Sequence, residues 1–308
     1  MKQTEIKSAL LLFLAAFIWG VAFVAQSVGM EFVGPFTFNG CRFLLGGLVL
    51  TPFAILRRAT WEKSEEFRQK NRKDQKADRI VTLIGGLCCG VAIFVASTFQ
   101  QIGMQYTSVG KAGFITALYI VIVPILGIFM KKKVTGSVWL GAVLAVLGFY
   151  FLCITESFSI NKGDGFVFLC AVCFSFHILV IDYFAPKADG VALSCIQFWF
   201  SGIVSMIVTF VTETPTMEGI MQAGIPILYA GIFSCGVAYT LQIIGQAKMN
   251  PTVASLILSL ESVISVLAGW VILKEILTMR QMVGCILVFT AVILAQLPIG
   301  RKKAEQDI

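Results

Sequence analysis

Long apolar runs alternate along this chain with short segments rich in Gly, Pro, Asn and charged residues. Taking the polar segments as boundaries, the pattern predicts ten helices, at about 8–28, 35–56, 80–104, 110–130, 134–155, 164–184, 191–211, 223–246, 251–273 and 277–297. Each run is close to the roughly 20 mostly apolar residues that a helix needs to cross a bilayer. The flanking residues 1–7 and 298–308 are polar. The first run, behind Lys2 and Lys7, reads as a first crossing and not as a cleaved leader, because further apolar helices follow at once.

Composition supports the same picture. Of 308 residues, 57% are apolar and 13% charged, against about 45–50% and about 25% in an average soluble domain. The expected fold class is therefore an all-α integral membrane protein. Charge then fixes an expected orientation, since loops rich in Lys and Arg stay in the cytoplasm on insertion. With both termini cytoplasmic, that side carries nineteen basic residues, including the nine of the long loop Arg57–Arg79, against four outside: Lys111, Lys162, Lys274 and Arg280. Position 68 is then cytoplasmic and position 158 external. The net charge of +7 thus records topology, and no nucleic-acid partner is implied.

An internal repeat appears when residues 98–132 are laid ungapped on 240–274: eleven of 35 positions are identical, among them Thr98/Thr240, Gln100/Gln242, Gly103/Gly245 and Gly127/Gly269. A second alignment places Arg42-Phe43 on Gln197-Phe198 and Gly47 on Gly202. These matches fall on helices 3–4 and 8–9, and on 2 and 7, as a duplication of five helices requires. An odd number of crossings inserts the second half upside down relative to the first. The expected organisation is two inverted five-helix repeats, 1–156 and 157–308, with a substrate site between them near the midplane.

Several stretches carry a resemblance: Phe17-Ile18-Trp19-Gly20, Arg42-Phe43-Leu44-Leu45, Tyr106-Thr107-Ser108, Ser259-Leu260-Glu261-Ser262-Val263 and Lys274-Glu275. In their order, spacing and duplication the chain resembles the drug/metabolite transporter superfamily, in its EamA-domain branch. The resemblance implies a ten-helix transporter of small solutes such as amino acids, nucleobases or drug-like compounds. Two positions depart from the family pattern. Ser262 stands where proline often follows the glutamate, which suggests a straighter helix 9, and Lys133 occupies the place of Glu275 in the first half.

An ionisable side chain at the centre of a membrane helix costs about 2.5–3.5 kcal/mol on insertion scales, so those that persist usually face the bundle interior or a wet cavity. Three stand out for their depth within predicted helices: Arg42, His177 and Glu261. Glu261 reads either as a substrate or proton site or as a brace between helices. Arg42 reads as a latch near the outer mouth or as an anchor for an anionic substrate. His177, the single histidine, has an ordinary pKa of about 6.5 and can titrate near neutral pH, or can pack as a neutral ring. Trp19 and Tyr119, mid-helix, offer aromatic faces to a central cavity, and Tyr119 occupies the repeat position of Glu261.

The remaining features read as architecture. Gly46-Gly47 and Gly86-x-x-x-Gly90 let helices approach closely. Pro124 and Pro226 are expected to kink helices 4 and 8. The nine cysteines lie mostly in apolar runs, and Cys170-x-x-Cys173 has no second ligand pair, so neither a metal nor a cofactor is expected. A membrane enzyme would need a catalytic cluster at a water boundary, and a channel a repeated filter loop; neither motif is in the sequence. The reading that follows is a secondary transporter in the plasma or inner membrane. Its partners are a small-molecule substrate, the bilayer and, in a coupled mode, protons.

Overall fold

A computed structural model describes residues 3–63, 71–107, 109–129, 134–153, 161–272 and 278–296. All regular structure there is helical. We number the long elements α1 Gln3–Gly29, α2 Pro35–Lys63, α3 Arg72–Met104, α4 (α4a Val109–Ala117, α4b Tyr119–Phe129), α5 Gly136–Cys153, α6 Lys162–Phe184 and α7 Gly190–Thr212. A short helix, Met217–Gln222, leads into α8, which is built of Gly224–Leu228, a π-helical stretch Tyr229–Ala238, and Tyr239–Gln246. Helices α9 (α9a Pro251–Leu258, α9b Leu260–Ile272) and α10 Met279–Gln296 complete the bundle. Eight of the ten are long and apolar enough to cross a membrane, and α5 and α10 contribute shorter apolar helices, Gly136–Gly148 and Met279–Leu294.

The distribution of polarity is inverted relative to a water-soluble bundle. Leu48, Val91, Leu140, Ile207, Phe210 and Ile293 are exposed around the outside, whereas Gln26, Asn39, Arg42, Gln100, Gln101, His177, Gln197, Gln242 and Glu261 are buried. Lipid tails tolerate the first set at no cost, and backbone polarity is satisfied within each helix. The chain is a multi-pass membrane protein.

Helix neighbours obey the five-plus-five exchange. Helix α2 packs on α7 and α5 on α10, each pair mapping onto itself; α3 packs on α6 and α7 as α8 packs on α1 and α2, and α1 on α9 as α6 on α4. Side chains repeat the relation. A Cβ at Gly47 would meet Trp199 at 3.1 Å, while one at Gly202 would meet Leu44 at 2.8 Å; the two contacts are exchanged by the 155-residue offset that places Gly47 on Gly202. Such reciprocal contacts are the mark of a two-fold interface. Phe43 and its repeat equivalent Phe198 stack with centroids 5.7 Å apart. The architecture is two inverted five-helix repeats, as the sequence implied, though the expected division at 156/157 lies outside the described residues.

Four expectations change. The long basic segment is not a loop from residue 57: α2 runs on to Lys63 and α3 starts at Arg72. Asn71 caps α3 by accepting from the Asp74 amide, and Glu62 pairs with both Arg58 (2.9 Å) and Arg79 (3.1 Å) across the two extensions. Position 68 lies outside the described residues, as do position 158, Lys133 and Lys274-Glu275. Helix 9 is interrupted, not straight. Its α9a and α9b segments meet at Ser259, where the hydroxyls of Ser255 and Ser259 donate to the carbonyls of Thr252 (2.8 Å) and Leu256 (2.7 Å). Serine hydroxyls offer the backbone an alternative partner and so loosen the regular ladder.

The proline expectations shift as well. Helix α4 is interrupted at Leu118, and Pro124 sits inside α4b. Pro226 falls in the first turn of α8, where its missing N–H costs nothing. The distortion of α8 is instead the π-helical stretch that follows.

Candidate functional site

The breaks in α4, at Leu118, and α9, at Ser259, lie within one residue of equivalence in the repeat, since Ser259 maps onto Ala117. They bring Tyr119 and Glu261 to the start of their second segments. The Tyr119 hydroxyl donates to Glu261 Oε1 at 3.0 Å, and the two residues are 142 apart, the repeat offset itself. Equivalent residues that touch one another must lie on the pseudo-two-fold axis. Helix α1 closes against this point through Gly20, where a Cβ would come within 2.8 Å of the Glu261 carbonyl oxygen, so only glycine allows the approach.

A small central cavity of about 40 Å³ opens beside this pair. Trp19, Arg42, Tyr119, His177 and Glu261, singled out separately along the chain, all line it. Sequence reasoning missed Phe23, Gln26, Gln100, Thr116, Phe174, Ser234, Tyr239 and Gln242, which share its wall. For Gln100 and Gln242 a signal existed, because they are an identical polar pair in the repeat alignment. The π-helical stretch of α8 places residues five apart on one face, and Ser234 and Tyr239 both reach the cavity through it; π-helical insertions recur at functional sites. Tyr239 organises the aromatic wall, with ring centroids 4.5 Å from Trp19, 5.9 Å from His177 and 5.4 Å from Phe198.

Two buried polar pairs flank the axis. Arg42 donates from Nη1 to Gln26 Oε1 at 2.9 Å, which joins α2 to α1. His177 Nε2 lies 3.2 Å from Gln197 Oε1, which joins α6 to α7. Gln197 is the repeat equivalent of Arg42, so each half ties the same position to its preceding helix, once with a cation and once without. Among the described residues no carboxylate pairs with Arg42. The guanidinium lies 4.9 Å from the Phe43 ring centroid and 5.6 Å from that of Phe38. Several buried polar atoms of the wall have no protein partner: Trp19 Nε1, Arg42 Nε, His177 Nδ1 and Gln242 Oε1. Buried polar groups are normally satisfied, and further unpartnered polar atoms lie away from the cavity, on Asn39, Ser97, Gln101, Ser194 and Ser205. The thiols of Cys170 and Cys173 are free.

The family model described as the EamA-like transporter family matches residues 6–154 and 161–297. The chain belongs to the EamA-like transporter family. This EamA-like protein is 32% identical over 292 residues to an uncharacterized transporter of Archaeoglobus fulgidus, covering 92% of this chain and 84% of the relative. It is 22% identical to the uncharacterized transporter YoaV of Bacillus subtilis, over 93% and 95% of the two chains. A chloroplastic WAT1-related protein of Arabidopsis thaliana is 23% identical, over 92% of this chain and 68% of its own. A solved structure superposes with a TM-score of 0.75 at 19% identity, covering 96% of this chain and 99% of that one, which speaks to the fold. With its family, its named relatives and its apolar helices, this EamA-like protein is a membrane transporter.

Proposed function

We propose that the protein carries a small organic solute across the plasma or inner membrane by alternating access. The repeats 1–156 and 157–308 exchange conformations around the central cavity, and both termini are cytoplasmic. The observation that carries this reading is the Tyr119–Glu261 contact between repeat-equivalent residues at the cavity wall. A site on the pseudo-axis keeps its walls when the two halves trade shapes, while the route to it changes sides. Trp19, Arg42, Tyr119, His177 and Glu261 form the translocation site, and Glu261 couples substrate movement to protons.

The test is a single cysteine at Ser234, a buried cavity residue, in a background freed of the native cysteines. Impermeant maleimide should modify it from either side, in right-side-out and in inverted vesicles. Reaction from one face only overturns the reading. A thermal-shift panel of metabolites supplies a ligand, since bound ligand stabilises the native state. Counterflow of that ligand in liposomes then separates a carrier from a pore.

A further inference from the structure

Arg42 is 3% exposed, and a buried charge without a counter-charge is strongly destabilising unless something compensates it. Its partners here are neutral: the Gln26 carbonyl oxygen and the faces of Phe38 and Phe43. Gln26 is itself held, its amide donating to the Ala22 carbonyl at 3.3 Å, so the carbonyl oxygen is presented to Nη1 in a fixed direction. That leaves the edge formed by Nε and Nη2, of which Nε is buried and unpartnered. A planar guanidinium edge matches a carboxylate bidentately. In the same wall the Trp19 indole N–H is a second donor without an acceptor. Around these donors the cavity is apolar and aromatic, through Phe23, Phe174 and Tyr239.

Resting on the transporter reading, we propose that the solutes carried are organic anions, with a carboxylate docked on Arg42 and an apolar or aromatic body against Trp19, Phe23 and Phe174. The ligand supplies the counter-charge that no described residue provides. Empty, the site holds an uncompensated cation; occupied, it holds an ion pair shielded from lipid. A neutral isostere of the same shape gains the apolar contacts but leaves the arginine unpaired, so selectivity is by charge first and shape second. Gln197, the equivalent position in the other repeat, cannot provide this charge, so the anion sits off the axis, on the Arg42 side.

The test uses purified full-length protein in detergent and matched probes that differ only in charge: phenylacetate with phenylacetamide, and 3-phenylpropionate with its amide. Thermal stabilisation titrated against concentration should show the carboxylates binding at least tenfold more tightly than the amides. Arg42→Gln should abolish the preference while leaving amide binding in place, and Arg42→Lys should retain part of it, because lysine keeps the charge but not the fork. Equal or absent stabilisation by the carboxylates in the unaltered protein overturns the proposal, as does an undiminished preference in Arg42→Gln. If Arg42→Gln instead changes only the reactivity of the Ser234→Cys reporter, the arginine is a latch and not a ligand group. Failure of the transporter reading shows separately, as one-sided labelling of that reporter whatever the anion preference.

Discussion

Replacing Tyr119 by Phe removes one hydroxyl and leaves the ring. The bond lost is 3.0 Å long and lies between residues 4% and 7% exposed, so water does not readily replace it. A hydrogen bond to a charged acceptor contributes about 1.5–3 kcal/mol and one between neutral groups about 0.5–1.5 kcal/mol. The variant should therefore lose between about 0.5 and 3 kcal/mol of unfolding free energy in a denaturant titration in mixed micelles. The more telling consequence follows from symmetry. A contact between repeat-equivalent residues maps onto itself when the halves exchange conformations, so both states contain it and both lose it. The ratio of outward to inward labelling at Ser234→Cys should stay within about twofold, although even 1.5 kcal/mol placed on one state alone would move it roughly tenfold. Measuring that ratio in vesicles of both orientations decides the matter. A tenfold shift in either direction would refute the argument and make the pair a one-state latch instead of a pivot.

Contacts off the axis should behave differently. Glu213, which ends α7, accepts from the amides of Phe36 and Thr37 (both 2.9 Å) and from the Thr37 hydroxyl (2.6 Å), clamping the start of α2. In the other half the equivalent amides, those of Val191 and Ala192, donate instead to Asp189 (3.0 and 2.9 Å), which pairs with Arg57 (2.6 Å), so the two clamps are built differently and Glu213→Gln should shift the Ser234→Cys labelling ratio by at least fivefold; an unchanged ratio would remove Glu213 from the gating machinery. Glu261→Gln keeps shape and most hydrogen bonding but cannot titrate. It should retain exchange between equal substrate pools and lose accumulation driven by a pH gradient, whereas continued accumulation would pass the coupling role to His177. In intact cells, an impermeant maleimide should label a single cysteine at position 158 and spare one at position 68, and the reverse would invert the topology.

Much of this protein is legible in its sequence because a bilayer imposes local rules. A helix in lipid must satisfy its own backbone and show apolar side chains outward, so the ten runs, the buried Arg42, His177 and Glu261, and the inverted repeat all leave a linear trace. The repeat even anticipated that Tyr119 and Glu261 stand at equal depth. What it did not reveal is that they touch, since contact across a pseudo-axis depends on how closely α1, α4 and α9 approach, and Gly20 sets that distance. The helix breaks escaped for a related reason: proline marks a kink locally, but α9 is interrupted by hydroxyls bonding to carbonyls three residues back, a choice the packed bundle selects among many open to serine. The polar wall from Gln26, Gln100 and Gln242 likewise reads as scattered glutamines until the helices are assembled. Whether Arg42 has a counter-ion was also a question for the tertiary structure alone, because an ion pair is a matter of distance in space. Composition and period determine that this chain is a multi-pass helical membrane protein; the three-dimensional packing decides which of its buried polar groups find partners and which are left facing the cavity.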